Sequence, residues 1–212
     1  MDFENIYKSR KVILEMLQMR GFNTSNYDSQ TKEELNILYQ QHGSKGNSEI
    51  DTLDIIVQGD NKIFVKYLTT SKIRNQIIVN TIDEIYESDI LENNDVLVII
   101  TKDKATYQGT LEEHINRIFY KDGIFAQVLW LNSLLFNITE HDLVPKYRIM
   151  TIEEKKALMD KFYLDDEKNL PKILVTDPVA KFYGVRIGDL CEIEYNNETN
   201  GRNKFYRLCI AS

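Results

Sequence analysis

Eight consecutive residues, Asp177-Pro178-Val179-Ala180-Lys181-Phe182-Tyr183-Gly184, leave the backbone very little choice. The Asp177 carboxylate can accept from the orphan amides of a first helical turn, and Pro178 stands where its missing N–H costs nothing. Gly184 supplies the left-handed residue that stops a helix, so this helix must be short. Two β-rich runs follow, Leu190 to Tyr195 and Phe205 to Ile210, and read as a hairpin whose long loop holds Gly201 and Arg202. Upstream, Thr151 and Glu154 form a capping box heading an amphipathic helix through about Phe162. These elements make a compact α+β piece of their own.

The preceding part has a different rhythm. Ile6, Ile13, Met16 and Leu17 recur at helical spacing before Gly21, and Thr31 with Glu34 opens a second helix carrying Leu35, Leu38 and Tyr39. Gly43 to Ser48 reads as loop. Leu53 to Val57 and Lys62 to Leu68 are strands separated by Gly59-Asp60-Asn61, which is hairpin punctuation. A helix from Ser71 to Glu87 carries apolar residues near a 3.6 period, and the unbroken run Val96 to Ile100 is the pattern of a strand covered on both faces. Thr110 with Glu113 caps a helix to about Tyr120, and Ile124 to Trp130 is a last strand. Strand, helix, strand, helix, strand predicts an α/β layer, with the boundary to the α+β piece near Ile138.

Charge narrows the function. The chain carries a formal net charge of -7, and the stretch before Ile138 holds 20 of the 33 acidic residues but only 14 of the 26 basic ones. A free-standing, sequence-independent DNA binder needs the opposite balance. No stretch approaches the roughly 20 apolar residues of a bilayer span, and Met1-Asp2-Phe3-Glu4 lacks the start of a signal peptide, so an intracellular, soluble protein is expected. Two cysteines and the scattered His42, His114 and His141 do not offer the four converging ligands of a zinc site. A hairpin register centred near Asn200 would set Cys191 opposite Cys209, either as a disulfide or as two reduced, packed thiols.

The sequence shows no Gly-rich phosphate loop, no Gly-flanked nucleophilic serine and no His-Glu-x-x-His helix. The N-terminal layer does invite comparison with restriction-type nucleases, which need an acid on one strand and acid-x-Lys on the next to hold a metal and position water. Asp54 and Lys66 fall at the outer two positions, but Phe64 occupies the middle one, and a phenyl ring cannot ligate a hard cation. Asp51 and Asp54 then read as solvated residues at a strand start.

Taken together, His141-Asp142-Leu143-Val144-Pro145, Leu170-Pro171, Asp177 to Gly184 and Glu198-Thr199-Asn200-Gly201-Arg202 resemble the assembly domain of the fifth subunit of eukaryotic RNA polymerases and of its archaeal counterpart. Ser9 to Phe22 is similar to the first helix of the eukaryotic protein's jaw domain, and Asn137 to His141 to its domain junction. The resemblance implies an α/β jaw domain over 1–138, a catalytically dead relative of restriction endonucleases, and a small α+β assembly domain over 139–212. Because the archaeal counterpart is similar only to the assembly domain, the 138 residues before it imply a eukaryotic-type subunit. Two features depart from the family pattern: Tyr147 replaces a second His, and Thr101-Lys102-Asp103-Lys104-Ala105 replaces a Thr-Pro-bearing loop.

The function implied is that of a non-catalytic structural subunit of a multisubunit DNA-directed RNA polymerase, with no cofactor, no small-molecule substrate and no membrane partner. Its expected partners are the largest subunit, other polymerase subunits and, weakly, downstream double-stranded DNA. The subunit interface is expected at His141, Leu143, Val144, Pro145, Pro171, Asp177, Pro178, Tyr183, Gly184, Gly201, Arg202, Tyr206 and Arg207, with Arg202 and Arg207 flanking Tyr206 for a bidentate, stacked contact. Lys102 and Lys104 are expected to face DNA. Leu143-Val144-Pro145 reads equally as an ordinary edge strand. The AT-rich flavour of the composition fits a large DNA virus or an AT-rich protist, placing the protein in virion and host cytoplasm or in the nucleus. An active nuclease and a free interaction adaptor are the alternatives.

Overall fold

The apolar run expected to be buried on both sides lies inside the first of two units, Met1–Phe136 and Asn137–Ser212, into which the chain divides. The computed structural model describes residues 3–41, 52–59, 61–68, 74–88, 90–92, 94–104, 110–197 and 201–211. The first unit runs α1 (Phe3–Met19), α2 (Ser25–Asp28), α3 (Lys32–Gln41), β1 (Ile55–Gln58), β2 (Lys62–Leu68), α4 (Asn75–Glu87), β3 (Val96–Thr101), α5 (Thr110–Asp122) and β4 (Phe125–Trp130). Its sheet has the order β1-β2-β3-β4, with β1 antiparallel to β2 and the other pairs parallel.

All six residues of β3 are buried, as the unbroken apolar run requires. Helices α4 and α5 cover one face through Ile78, Ile82, Leu111 and Ile115, which pack with Phe64, Leu97, Ile99 and Val128. On the other face Ser9 of α1 lies 3.4 Å from the Tyr67 hydroxyl. The buried Arg10 of α1 donates to the Leu53 carbonyl at 2.7 Å and to Gln30 at 3.0 Å. Tyr27 then blunts the outer edge of β1: its hydroxyl accepts from the Ile56 N–H at 3.0 Å and donates to the Ile56 carbonyl at 3.1 Å. The Thr31–Glu34 capping box is formed in both directions. The short α2 has no counterpart in the sequence reading, because four residues cannot show a period. The helix expected from Ser71 begins at Asn75, and the expected loop 43–48, Asp51, Asp60 of the expected hairpin turn, residues 71–73, Ala105, the Thr110 side chain and 198–200 lie outside the described residues.

The second unit runs β5 (Lys146–Ile149), α6 (Ile152–Lys161), β6 (Lys172–Leu174), α7 (Pro178–Tyr183), β7 (Leu190–Asn197) and β8 (Gly201–Ile210). Its sheet has the order β5-β7-β8-β6, antiparallel except for the parallel pair β6–β8. Helix α7 covers one face, where Ala180 packs with Ile173, Val185, Cys191, Ile193 and Cys209. Helix α6 covers the other, where Leu158 packs with Leu170, Leu190 and Leu208. Asp177 caps α7 by accepting from the Val179 and Ala180 amides at 2.9 and 3.0 Å, and Gly184 ends it at φ 73°. Thr151 and Glu154 form the full capping box of α6.

Three expectations change here. Gly201 and Arg202 are not in a long loop but are the first residues of β8, paired with Asn197 and Asn196. Leu143-Val144-Pro145 is not a strand; the edge strand β5 starts at Lys146. The hairpin register sets Cys191 opposite Arg207 rather than Cys209, two residues from the symmetric register expected. The two cysteines are diagonal neighbours on one face, both free and buried. Diagonal positions lie roughly 7 to 8 Å apart, at the limit of what a disulfide spans.

Burial pushes both thiols up to about 12. A thiol whose pKa is raised on folding contributes stability that is fully present below the unfolded value, roughly 8.5, and is lost as pH climbs through the folded one. The folded chain is therefore expected to resist thiol-specific labelling at pH 8 and to react at both cysteines once denatured. Rapid native labelling would show that the face beneath α7 opens.

Candidate functional site

Alternation along β8 decides which predicted interface residues share a surface. Arg202, Lys204, Tyr206 and Leu208 project to the α6 face, and Phe205, Arg207 and Cys209 to the α7 face. Arg202 and Arg207 are five residues apart, so they fall on opposite faces and cannot make one bidentate, stacked contact around Tyr206. Tyr206 instead packs on Phe162 at 6.3 Å and against the Leu158–Leu208 cluster.

Three cations on the α6 face are already matched. Arg148 lies 2.8 Å from Glu154 and 3.3 Å from Glu192, Lys204 lies 3.0 Å from Glu192, and Arg202, 80% exposed, lies 3.6 Å from Glu194. On the α7 face the Arg207 guanidinium donates to the Lys172 carbonyl at 3.1 Å and has no carboxylate partner among the described residues. It borders a groove of ≈ 440 Å³ lined in part by Tyr147, Lys172, Thr176, Asp177 and Tyr195. Tyr147 stacks on Tyr183 at 5.6 Å. Burial, then the nearby Asp177 carboxylate, push the Tyr147 hydroxyl up to about 12, with Arg207 pulling weakly the other way. It is therefore a proton donor at neutral pH.

The structure thus brings Asp177, Tyr183 and Arg207 together and adds Tyr147, Lys172 and Tyr195, which were not singled out for binding. Tyr195 was within reach of sequence reasoning, since Cys191, Ile193 and Tyr195 alternate on one side. Tyr147 and Lys172 sit on edge strands of four and three residues, too short to show a pattern. Of the other expected residues, Pro178 opens α7 and Gly184 closes it. Pro171 precedes β6, its carbonyl accepting from the Leu208 amide at 2.8 Å. His141 accepts at Nδ1 from the Leu143 amide at 3.2 Å, and Leu143 is 83% exposed, while Val144 and Pro145 are half-buried. Gly201 opens β8 at φ 68°.

In the first unit, Asp54, Phe64 and Lys66 do converge. Lys66 Nζ lies 3.3 Å from Asp54 Oδ2 and 5.7 Å from the Phe64 ring, and the Tyr67 amide donates to Asp54 Oδ1 at 3.3 Å. Asp54 is not solvated, as the sequence suggested: its side chain is 0% exposed. Phe64 is a fully buried core residue where a nuclease would need a carboxylate. Among the described residues no group of three or more His, Cys, Asp or Glu side chains is placed to hold a metal ion. Lys102 is half-buried and its carbonyl accepts from the Trp130 indole at 2.9 Å, while Lys104 is exposed. Among the described residues no helix is long and apolar enough to cross a membrane.

Residues 136–209 match the family described as RNA polymerase Rpb5, C-terminal domain. Across both units the chain is 28% identical over 210 residues to the DNA-directed RNA polymerases I, II, and III subunit RPABC1 of Caenorhabditis elegans, covering 97% of this chain and 95% of that protein. It is 26% identical over 211 residues to the Dictyostelium discoideum protein of the same description, covering 99% of each. It is also 26% identical over 212 residues to the DNA-directed RNA polymerases IV and V subunit 5B of Arabidopsis thaliana, covering 97% of this chain and 89% of that protein.

Asp54→Ala removes a buried partner of Lys66 and an acceptor of the Tyr67 amide, and is expected to destabilise the first unit by about 3 kcal/mol in urea unfolding. Neither the native chain nor this variant should cleave DNA with Mg²⁺ or Mn²⁺. Metal-dependent nicking abolished by the substitution would overturn the reading of Phe64 as a lost ligand.

Proposed function

We propose that this chain, which matches the Rpb5 C-terminal domain over residues 136–209, is an Rpb5-like, non-catalytic structural subunit of a DNA-directed RNA polymerase. The observation that carries this reading is the likeness to named polymerase subunits across both units, beyond the matched C-terminal domain. A nuclease reading gains nothing from the structure, since Phe64 fills the ligand position with an apolar core residue. Phosphoryl transfer and its metal ions then belong to other chains of the complex, and this one supplies architecture.

We infer a division of labour between the units. Residues 139–212 form an assembly domain that docks on the largest subunit, and residues 1–138 form a jaw, a catalytically dead relative of restriction endonucleases, beside the path by which downstream DNA enters. The βαβαβ layer and the position of Asp54 and Lys66 support the kinship of the jaw. The capping residues Asp177, Pro178 and Gly184 act by shaping the docking surface rather than by touching the partner. Such a subunit works wherever its polymerase transcribes, in the nucleus of a cell or in the virion and host cytoplasm of a large DNA virus.

A tagged copy purified under native conditions is expected to bring down polymerase large subunits, and residues 139–212 alone should be folded by circular dichroism and bring down the largest. A chain that recovers none of them is an adaptor working elsewhere. An isolated second unit that is folded yet binds nothing would sink the division of labour.

Lys102 and Lys104 are the jaw residues assigned to DNA, following β3. Each phosphate contact steepens the salt dependence by about one unit of log K per log salt. Replacing both by Ala in assembled polymerase is expected to weaken downstream DNA binding at moderate salt and flatten the slope by up to about two units, with subunit composition unchanged. An unaltered slope would make the loop a solvated one and the jaw a steric wall.

A further inference from the structure

The two faces of the second unit's sheet differ in a way that points to what the groove beside Arg207 holds. On the α6 face, Arg148, Arg202 and Lys204 each have a glutamate within 4 Å. On the α7 face, Arg207 is exposed, spends one N–H on the Lys172 carbonyl, and meets no carboxylate among the described residues. The planar guanidinium keeps further donors for an incoming group, and a carboxylate matches that fork in two parallel hydrogen bonds. Tyr147 adds a hydroxyl that makes no hydrogen bond among the described residues. Asp177 borders the same groove, but one of its carboxylate oxygens is committed to the α7 amides, where the helix N-terminus favours negative charge. Phe205, about half exposed, gives this face an apolar shoulder.

We propose that this groove receives an Asp or Glu side chain from an extended segment of a neighbouring polymerase subunit, with the Arg207 guanidinium as anchor and the Tyr147 hydroxyl as second donor. The inference rests on the polymerase-subunit reading above and adds the chemistry of the contact. A protein carboxylate fits better than nucleic acid. One arginine and a rim lysine beside a carboxylate cannot track a phosphate backbone, and the whole chain carries a charge of -7. Arg202 and Tyr206, on the opposite face, take no part.

The test uses the full chain in its complex. Arg207→Glu is expected to weaken retention of the polymerase partner on the order of tenfold at physiological salt, because it replaces attraction by repulsion at a charged contact. Arg207→Lys keeps the charge without the fork and should fall between that variant and the native chain. Lys156→Glu, on the exposed side of α6, should change nothing. A photo-cross-linker at Thr176 in the otherwise native chain should capture a subunit segment with an Asp or Glu within a few residues of the cross-link, an outcome independent of whether the Arg207 variants fold. Undiminished retention of folded Arg207→Glu, capture of a segment lacking acids, or capture of nucleic acid would each overturn the proposal. Native chain that recovers no polymerase subunit would instead overturn the polymerase-subunit reading on which it rests.

Discussion

The pairing register of β7 with β8 is the constraint on which the second unit depends. With Leu190 opposite Leu208 and Cys191 opposite Arg207, one set of alternating side chains meets α6 and the other meets α7. A slip of one residue would turn Glu192 and Glu194 toward the α7 cluster and lift Cys191 and Ile193 into the charged row. Burial of Ala180, Val185, Cys191 and Ile193 opposes any such slip, since each buried apolar side chain contributes roughly 1 to 3 kcal/mol. The same register leaves Arg207 beside Tyr147 and Asp177, so the groove is a by-product of how the core is packed.

Electrostatics in the chain follow burial. In the first unit the fully buried Asp54 is held by Lys66 and the Tyr67 amide, an arrangement costly to break because a carboxylate out of water needs its partners. On the α6 face the ion pairs are largely solvated, and their worth is small individually. They satisfy Arg148, Arg202 and Lys204, whereas Arg207 on the α7 face has no carboxylate partner among the described residues.

Edges of both sheets are managed rather than left open. Tyr27 occupies both hydrogen-bonding groups of Ile56 on β1, and Arg207 occupies the Lys172 carbonyl on β6. Blocking these groups discourages strand-to-strand association, so recognition at the β6 side falls to side chains.

The sequence by itself determined the features marked by a cap or by one unbroken apolar run. The capping boxes at Thr31 and Thr151 and the short helix between Asp177 and Gly184 were legible because a cap is a contact over three or four positions. The burial of β3 was legible from one unbroken apolar run, and Asp177, Tyr183 and Arg207 were within reach because special backbone positions and exposed arginines mark themselves. Only the tertiary structure decided that Arg202 and Arg207 part company, that Gly201 begins a strand, that Cys191 and Cys209 lie diagonally, and that Asp54 is buried. Each of those depends on strand register or packing, which no local pattern fixes. Tyr147 and Lys172 joined the groove for the same reason: β5 and β6 are too short to declare themselves and exist because β7 and β8 offer them edges to pair with.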